Sequence, residues 1–162
     1  MNQSLILNTP APDFQLKDQD DQQCSLADYA GQYILLYFYP KDMTPGCTIE
    51  AEGFRDSLND LQSVGVQVLG VSADTCESHK QFAQRHHLNF PLLADTDHEV
   101  CKLYSVYEEK TLFGHPVIGI ARESFLIDPK GIIVKQYQKV DVKYHAQEVL
   151  RDVQSLQESN KE

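Results

Sequence analysis

The 162-residue sequence has no excess of positive charge: 24 acidic side chains outnumber 14 basic ones, leaving a formal net charge of −10. Such a chain repels phosphate backbones and anionic lipid headgroups, so neither nucleic acid nor a membrane surface is an expected partner. It also lacks a long hydrophobic run. The most apolar stretch, Tyr33 to Tyr39 (YILLYFY), falls far short of the ~18 residues of a spanning helix. Met1 to Asp13 carries neither the basic nor the apolar region of a secretory signal, so the expectation is a mature protein that starts here and resides in the cytoplasm. Cysteine is sparse and never closely paired: Cys24, Cys47, Cys76 and Cys101 follow one another at intervals of 23, 29 and 25 residues. That spacing argues against the Cys-x-x-Cys of a thiol-disulfide oxidoreductase. It also argues against a zinc site, because His86-His87 and the Cys76/His79 pair lack a matching second pair. Glycine is too thin for a phosphate-cradling loop, and no repeat or Gly/Ser-rich linker divides the chain.

What remains is a chain of one-domain length, 1–162, large enough to bury roughly 70% of its unfolded surface without a disulfide or metal staple. In a reducing compartment its cysteines are then free for chemistry. After a polar, turn-rich start and an amphipathic piece at Ser25 to Tyr29, the run Tyr33 to Tyr39 reads as a buried strand ended by Pro40. Ile49, Phe54, Leu58 and Leu61 recur at near-helical spacing, which predicts a helix from Pro45 to about Val64 stopped by Gly65. Val66 to Val71 reads as a second buried strand. Asp74-x-x-Glu77 suggests a capping box for a helix running to about His87. A short strand at Pro91 to Ala94 follows, then a helix at Asp97 to Tyr107. Strands at Ser124 to Ile127 and Ile132 to Val140 flank the turn Asp128-Pro129-Lys130-Gly131. A helix over about Val142 to Gln157 closes the chain. This order predicts an α/β fold: a thioredoxin-like three-layer α/β/α sandwich around a mixed central sheet.

In such sheets chemistry gathers beyond the carboxyl ends of parallel strands, which points to the turn after Tyr39. That turn reads Pro40-Lys41-Asp42-Met43-Thr44-Pro45-Gly46-Cys47. With Thr44 as N-cap and Pro45 at the first helical position, Cys47 takes the third, among unpaired backbone N–H groups at the positive end of the helix dipole. This environment favours a thiolate.

The pattern Pro40-x-x-x-Thr44-x-x-Cys47 resembles the active-site motif of peroxiredoxins, and TPGCT is similar to the peroxiredoxin Q, or bacterioferritin comigratory protein, subfamily. The stretches VLGVSADTCESHKQFAQRHHLNFPLLAD (68–95) and GIARESFLID (119–128) extend the resemblance over most of the chain. The resemblance implies a thiol-dependent peroxidase, without haem, flavin or metal, that reduces hydrogen peroxide and organic hydroperoxides. Cys47 would be the peroxidatic thiol that becomes a sulfenic acid. Thr44 would hydrogen-bond the peroxide, Pro40 would shield the sulfur, and Arg122 would favour the thiolate and stabilise charge on the leaving oxygen. Backbone N–H groups of Gly46 and Cys47 would complete the donor set. Glu50 is a further candidate: it either accepts a hydrogen bond in the first turns or is an ordinary solvated helix residue.

The chain departs from the subfamily pattern at the resolving cysteine. Five positions after Cys47 it has Glu52, and the alternative position in the next long helix falls at about Ala83. Cys76, in the first turn of that helix and at the same sheet edge as Cys47, is the candidate resolving thiol; otherwise it merely fills a surface turn. Cys101 reads as core packing and Cys24 as incidental to a polar stretch. Failing a resolving thiol, an external one such as thioredoxin, glutaredoxin or glutathione would reduce Cys47 directly. The subfamily resemblance implies a monomer. The rival readings are a thioredoxin-like thiol-disulfide oxidoreductase and a non-catalytic binding module of the same fold.

Overall fold

The computed structural model describes residues 7–160; the first six residues of the stretch read as signal-free lie outside them. Fourteen elements follow in chain order: β1 (Gln15–Lys17), β2 (Gln23–Ser25), a 3₁₀ turn (Leu26–Tyr29), β3 (Tyr33–Phe38), α1 (Pro45–Ser63), β4 (Val66–Ser72), α2 (Cys76–His86), β5 (Leu92–Ala94), α3 (Glu99–Leu103), β6 (Tyr107–Leu112), β7 (His115–Ile120), β8 (Glu123–Ile127), β9 (Ile133–Tyr137) and α4 (His145–Ser159). Seven strands form one mixed sheet in the order β2-β1-β5-β4-β3-β8-β9, while β6 and β7 form a separate hairpin. The β3-β4 and β4-β5 pairs are parallel, and β8 returns antiparallel to β3. Among the described residues no helix is long and apolar enough to cross a membrane.

The run YILLYFY is apolar throughout because both faces of β3 are covered. Its alternate residues Tyr33, Leu35, Tyr37 and Tyr39 pack with Phe54, Leu58 and Leu61 of α1, Phe82 of α2 and Val149 and Val153 of α4. Ile34, Leu36 and Phe38 face the other way, onto Phe14, Leu26, Val100, Tyr104 and Phe125. The sheet is thus sandwiched as expected, although the second layer is thin: a 3₁₀ turn, the five-residue α3 and strand flanks.

Several boundaries differ from the sequence reading. The helix expected from Asp97 to Tyr107 is only Glu99–Leu103; the carboxylate of Asp95 caps it by accepting the N–H groups of Val100 and Cys101 at 3.1 and 2.8 Å. The N-cap of α2 is Thr75, whose hydroxyl accepts the Ser78 N–H, rather than Asp74. Cys24 is not incidental: it is buried on β2 in the second apolar layer, where burial pushes its thiol up to about 11. Cys101 is fully buried, as the core reading predicts.

Gly70 on β4 shows how tightly the α1 side of the sheet is filled. A Cβ there would lie 2.9 Å from Cζ and 3.0 Å from the hydroxyl oxygen of Tyr37, whose ring stacks on Phe54 at 4.8 Å and on Tyr39 at 5.5 Å between centroids. Gly70→Ala is therefore expected to displace the Tyr37 ring and destabilise the protein by about 1–3 kcal/mol, read as a lower urea midpoint. An unchanged midpoint would mean that this packing has slack.

Candidate active site

Register carries Arg122 to the site. Phe38 at the end of β3 pairs with Glu123 at the start of β8, so Arg122, one residue earlier, arrives beside the loop that leaves β3. That loop turns through Met43, which adopts a left-handed φ of +69°, and delivers Thr44 in an extended conformation as the N-cap of α1. Pro45 occupies the first helical position, where its missing N–H has no cost. The first intrahelical bond runs from Thr48 N–H to Thr44 C=O at 2.9 Å. The N–H groups of Gly46 and Cys47 therefore have no intrahelical acceptor and surround the Cys47 sulfur with positive partial charge.

Cys47 is 1% exposed. Arg122 Nη2 approaches its sulfur at 3.5 Å, while Nη1 donates to Glu50 Oε1 at 2.8 Å. One guanidinium thus spans the thiol and a carboxylate one helical turn below it. Glu50 is also 1% exposed, which removes the solvated-residue alternative. Burial drives its carboxyl up to about 7 despite the opposing charge and hydrogen bond of Arg122. Its second oxygen, Oε2, is buried without a hydrogen-bond partner among the described residues. For Arg122 burial works against the charge, but Cys47 and Glu50 outweigh it and raise its pKa. Gly46 leaves room for this arrangement, since a Cβ there would lie 3.2 Å from Arg122 Nη2.

Thr44 sits at the N-cap as expected, but its hydroxyl does not cap the helix. It donates back to the Lys41 carbonyl at 2.8 Å, so its proton is committed and its lone pairs are what it can offer a ligand. Pro40 lies exposed at the head of the loop.

Cys76 is not drawn into this cluster. It is the first residue of α2 and faces the β1-β2 hairpin, lining shallow depressions with Gln15, Lys17, Asp21 and Asp97. Its place at a helix start does not lower its pKa: burial first, then the charge and hydrogen bond of Asp21, raise it.

The sequence reading missed one group of residues altogether. Asp42, Asp74 and His79 converge beneath the loop, with ligand-capable atoms within 4.8 Å of one another. The only sequence hint was a charged residue in an otherwise turn-like loop. Hydrogen bonds within the protein already engage these atoms, as described below, so the group is read as a clamp and not as a metal centre.

Comparison with known proteins agrees with this geometry. The AhpC/TSA family model matches residues 7–136. Peroxiredoxin Bcp of Bacillus subtilis is 44% identical over 155 residues, covering 96% of this chain and 99% of that protein. Among solved structures, a cysteine variant of Xylella fastidiosa PrxQ superposes with a TM-score of 0.89 at 35% identity, covering 95% of this chain and 98% of that one. The bacterioferritin comigratory protein of Xanthomonas campestris, described for its alkyl peroxide reduction, superposes with a TM-score of 0.83 at 37% identity, covering 88% and 90%. With a loop, helix start and arginine arranged around one buried cysteine, and with relatives that span its length, the chain belongs to the AhpC/TSA family as a peroxiredoxin of the Bcp/PrxQ type, a thiol-dependent peroxidase.

Proposed function

We propose that Cys47 is the peroxidatic cysteine of a single-domain, cytoplasmic, monomeric enzyme that reduces hydrogen peroxide and organic hydroperoxides. The observation that carries the assignment is the Arg122 guanidinium 3.5 Å from the Cys47 sulfur at a helix start with unpaired N–H groups. The thiolate attacks one peroxide oxygen. The O–O bond breaks as the S–O bond forms, and the departing oxygen gains charge that Arg122 and the N–H groups of Gly46 and Cys47 stabilise until it takes a proton and leaves as water or an alcohol. Thr44, with its proton held by Lys41, accepts the hydrogen bond from the incoming peroxide. Pro40 borders the approach and limits access of water to the sulfenic acid.

For recycling, the observations favour an external thiol such as thioredoxin, which attacks the sulfenic sulfur, releases water and leaves a mixed disulfide for a second thiol to resolve. Cys76 faces the β1-β2 hairpin, and its raised pKa leaves little thiolate to attack. The second reading, with Cys76 as resolving thiol, has its position at the first residue of α2 in its favour. Cys47→Ser is expected to abolish peroxide consumption, and Cys76→Ser to leave turnover with thioredoxin within about twofold of the original. Turnover surviving in Cys47→Ser would remove the assignment; a large loss in Cys76→Ser would favour the second reading.

Glu50 gives the site a sign-defined pH dependence. Because its pKa is raised to about 7 in the folded protein, its contribution to stability is present at acidic pH and lost as pH rises through about 7. Over the same interval its carboxylate begins to share Arg122 with the sulfur. The ratio of the wild-type to the Glu50→Gln rate constant for peroxide is thus expected to fall as pH rises through about 7, measured by single-turnover kinetics; a constant ratio would mean that Glu50 does not ionise there. Arg122→Lys, which cannot span both groups, is expected to lose about 10²-fold or more at any pH.

A further inference from the structure

The loop between β3 and α1 is exposed at Pro40, Lys41 and Met43 yet anchored through one residue, Asp42, which is 5% exposed. Both oxygens of its carboxylate are engaged. Oδ1 accepts the Tyr39 hydroxyl at 2.7 Å. Oδ2 accepts the Ser78 hydroxyl at 2.8 Å and lies 2.7 Å from Nδ1 of the fully buried His79. The far nitrogen of that ring, Nε2, lies 3.0 Å from the Leu93 carbonyl. A carbonyl only accepts, so Nε2 carries a proton and the imidazole is pinned at both ends. The Asp42 backbone N–H donates to Asp74 Oδ2 at 2.8 Å, which also accepts the Ser72 hydroxyl at 2.6 Å. Burial holds the Tyr39 phenol well above its usual pKa, so it remains a donor.

Among the described residues the sulfur's hydrogen bond is to Arg122 and not to this network. The network's reach is through the chain: Asp42 is followed by Met43, at a φ of +69° that costs a side-chain-bearing residue of the order of 1–3 kcal/mol, and then by Thr44. Thr44 makes no cap bond to its own helix, and its hydroxyl is tied to Lys41. The direction in which its lone pairs face is therefore set by the loop, and the loop by Asp42.

We propose that Asp42 and His79 are positioning residues for the peroxidase reaction: their buried contact clamps the β3-α1 loop to α2 and so aims the Thr44 hydroxyl at the incoming peroxide. The inference rests on the reading of Thr44 as peroxide acceptor, and its test separates the two. Single-turnover oxidation of Cys47 by hydrogen peroxide is compared with its alkylation by iodoacetamide, which needs the thiolate but not an aimed Thr44. Asp42→Asn and His79→Gln are each expected to slow peroxide oxidation at least tenfold while alkylation changes by less than about twofold. Thr44→Val should do the same, and Asp42→Asn combined with Thr44→Val should be no slower than Thr44→Val alone. Should the buried substitutions prevent folding, Tyr39→Phe and Ser78→Ala, which each delete one donor to Asp42 and keep the packing, are expected to give the same selective loss at about threefold. Equal losses in both reactions, no loss in either, or additive losses in the double variant would overturn the clamp. An unchanged rate in Thr44→Val alone would instead remove the Thr44 reading beneath it.

Discussion

Arg122 holds two acids at once: the Cys47 sulfur through Nη2 at 3.5 Å and the Glu50 carboxylate through Nη1 at 2.8 Å. Ion pairs in such places are poor contributors to stability, because desolvation offsets much of their attraction. The half-buried pair between Arg122 and the almost fully buried Glu50 is better understood by what it does to the sulfur. Glu50 fixes one end of the planar guanidinium so that the other end faces Cys47 and the space where a leaving oxygen would gain charge. A lysine in that place would be a point charge with no second arm. The glycine at 46 belongs to the same device, since a side chain there would push against Nη2.

The fold brings these groups together from three parts of the chain. The β3-β8 register sets Arg122 at the carboxyl end of β3. The loop from β3 into α1 brings Thr44, Gly46 and Cys47, and α1 brings Glu50 one turn further on. Tyr37 connects the site to the packing beneath it: its ring stacks on Phe54 of α1 and abuts Gly70 of β4, and burial keeps its phenol protonated beside Glu50 and Cys47. The position of α1 on the sheet, and hence of the sulfur beside the guanidinium, depends on this close packing.

Much of this was legible in the residues. YILLYFY reads as a buried strand, and Thr-Pro-Gly ahead of an amphipathic pattern marks where a helix begins, which puts Cys47 at its third position. The unread features have physical reasons. The β1-β2 ladder rests on three-residue strands too short to show alternation. The β6-β7 hairpin packs inward only at its Tyr107-Ile120 end and exposes Leu112, Phe113 and Ile118, so no buried face imposes a two-residue period along most of its sequence. Glu50 could be named as a candidate from its place after Cys47, but the choice between a hydrogen-bonding and a solvated residue depends on Arg122, 72 positions away. The Asp42 contact with His79 likewise spans 37 positions and leaves no local trace. Asp74 looked like a cap because its spacing to Glu77 matched one, but its carboxylate is occupied by Asp42 and Ser72, leaving Thr75 to cap α2.

One thiol of four is placed to react: Cys24 and Cys101 are buried in the opposite layer with raised pKa values, and Cys76 faces Asp21. The most direct measurement is peptide-level mass spectrometry of the reduced protein after one equivalent of hydrogen peroxide in the presence of dimedone, which traps sulfenic acid. The dimedone adduct is expected on Cys47 alone, with Cys24, Cys76 and Cys101 recovered as thiols. An adduct on any of those three while Cys47 remains a thiol would contradict the peroxidatic assignment of Cys47.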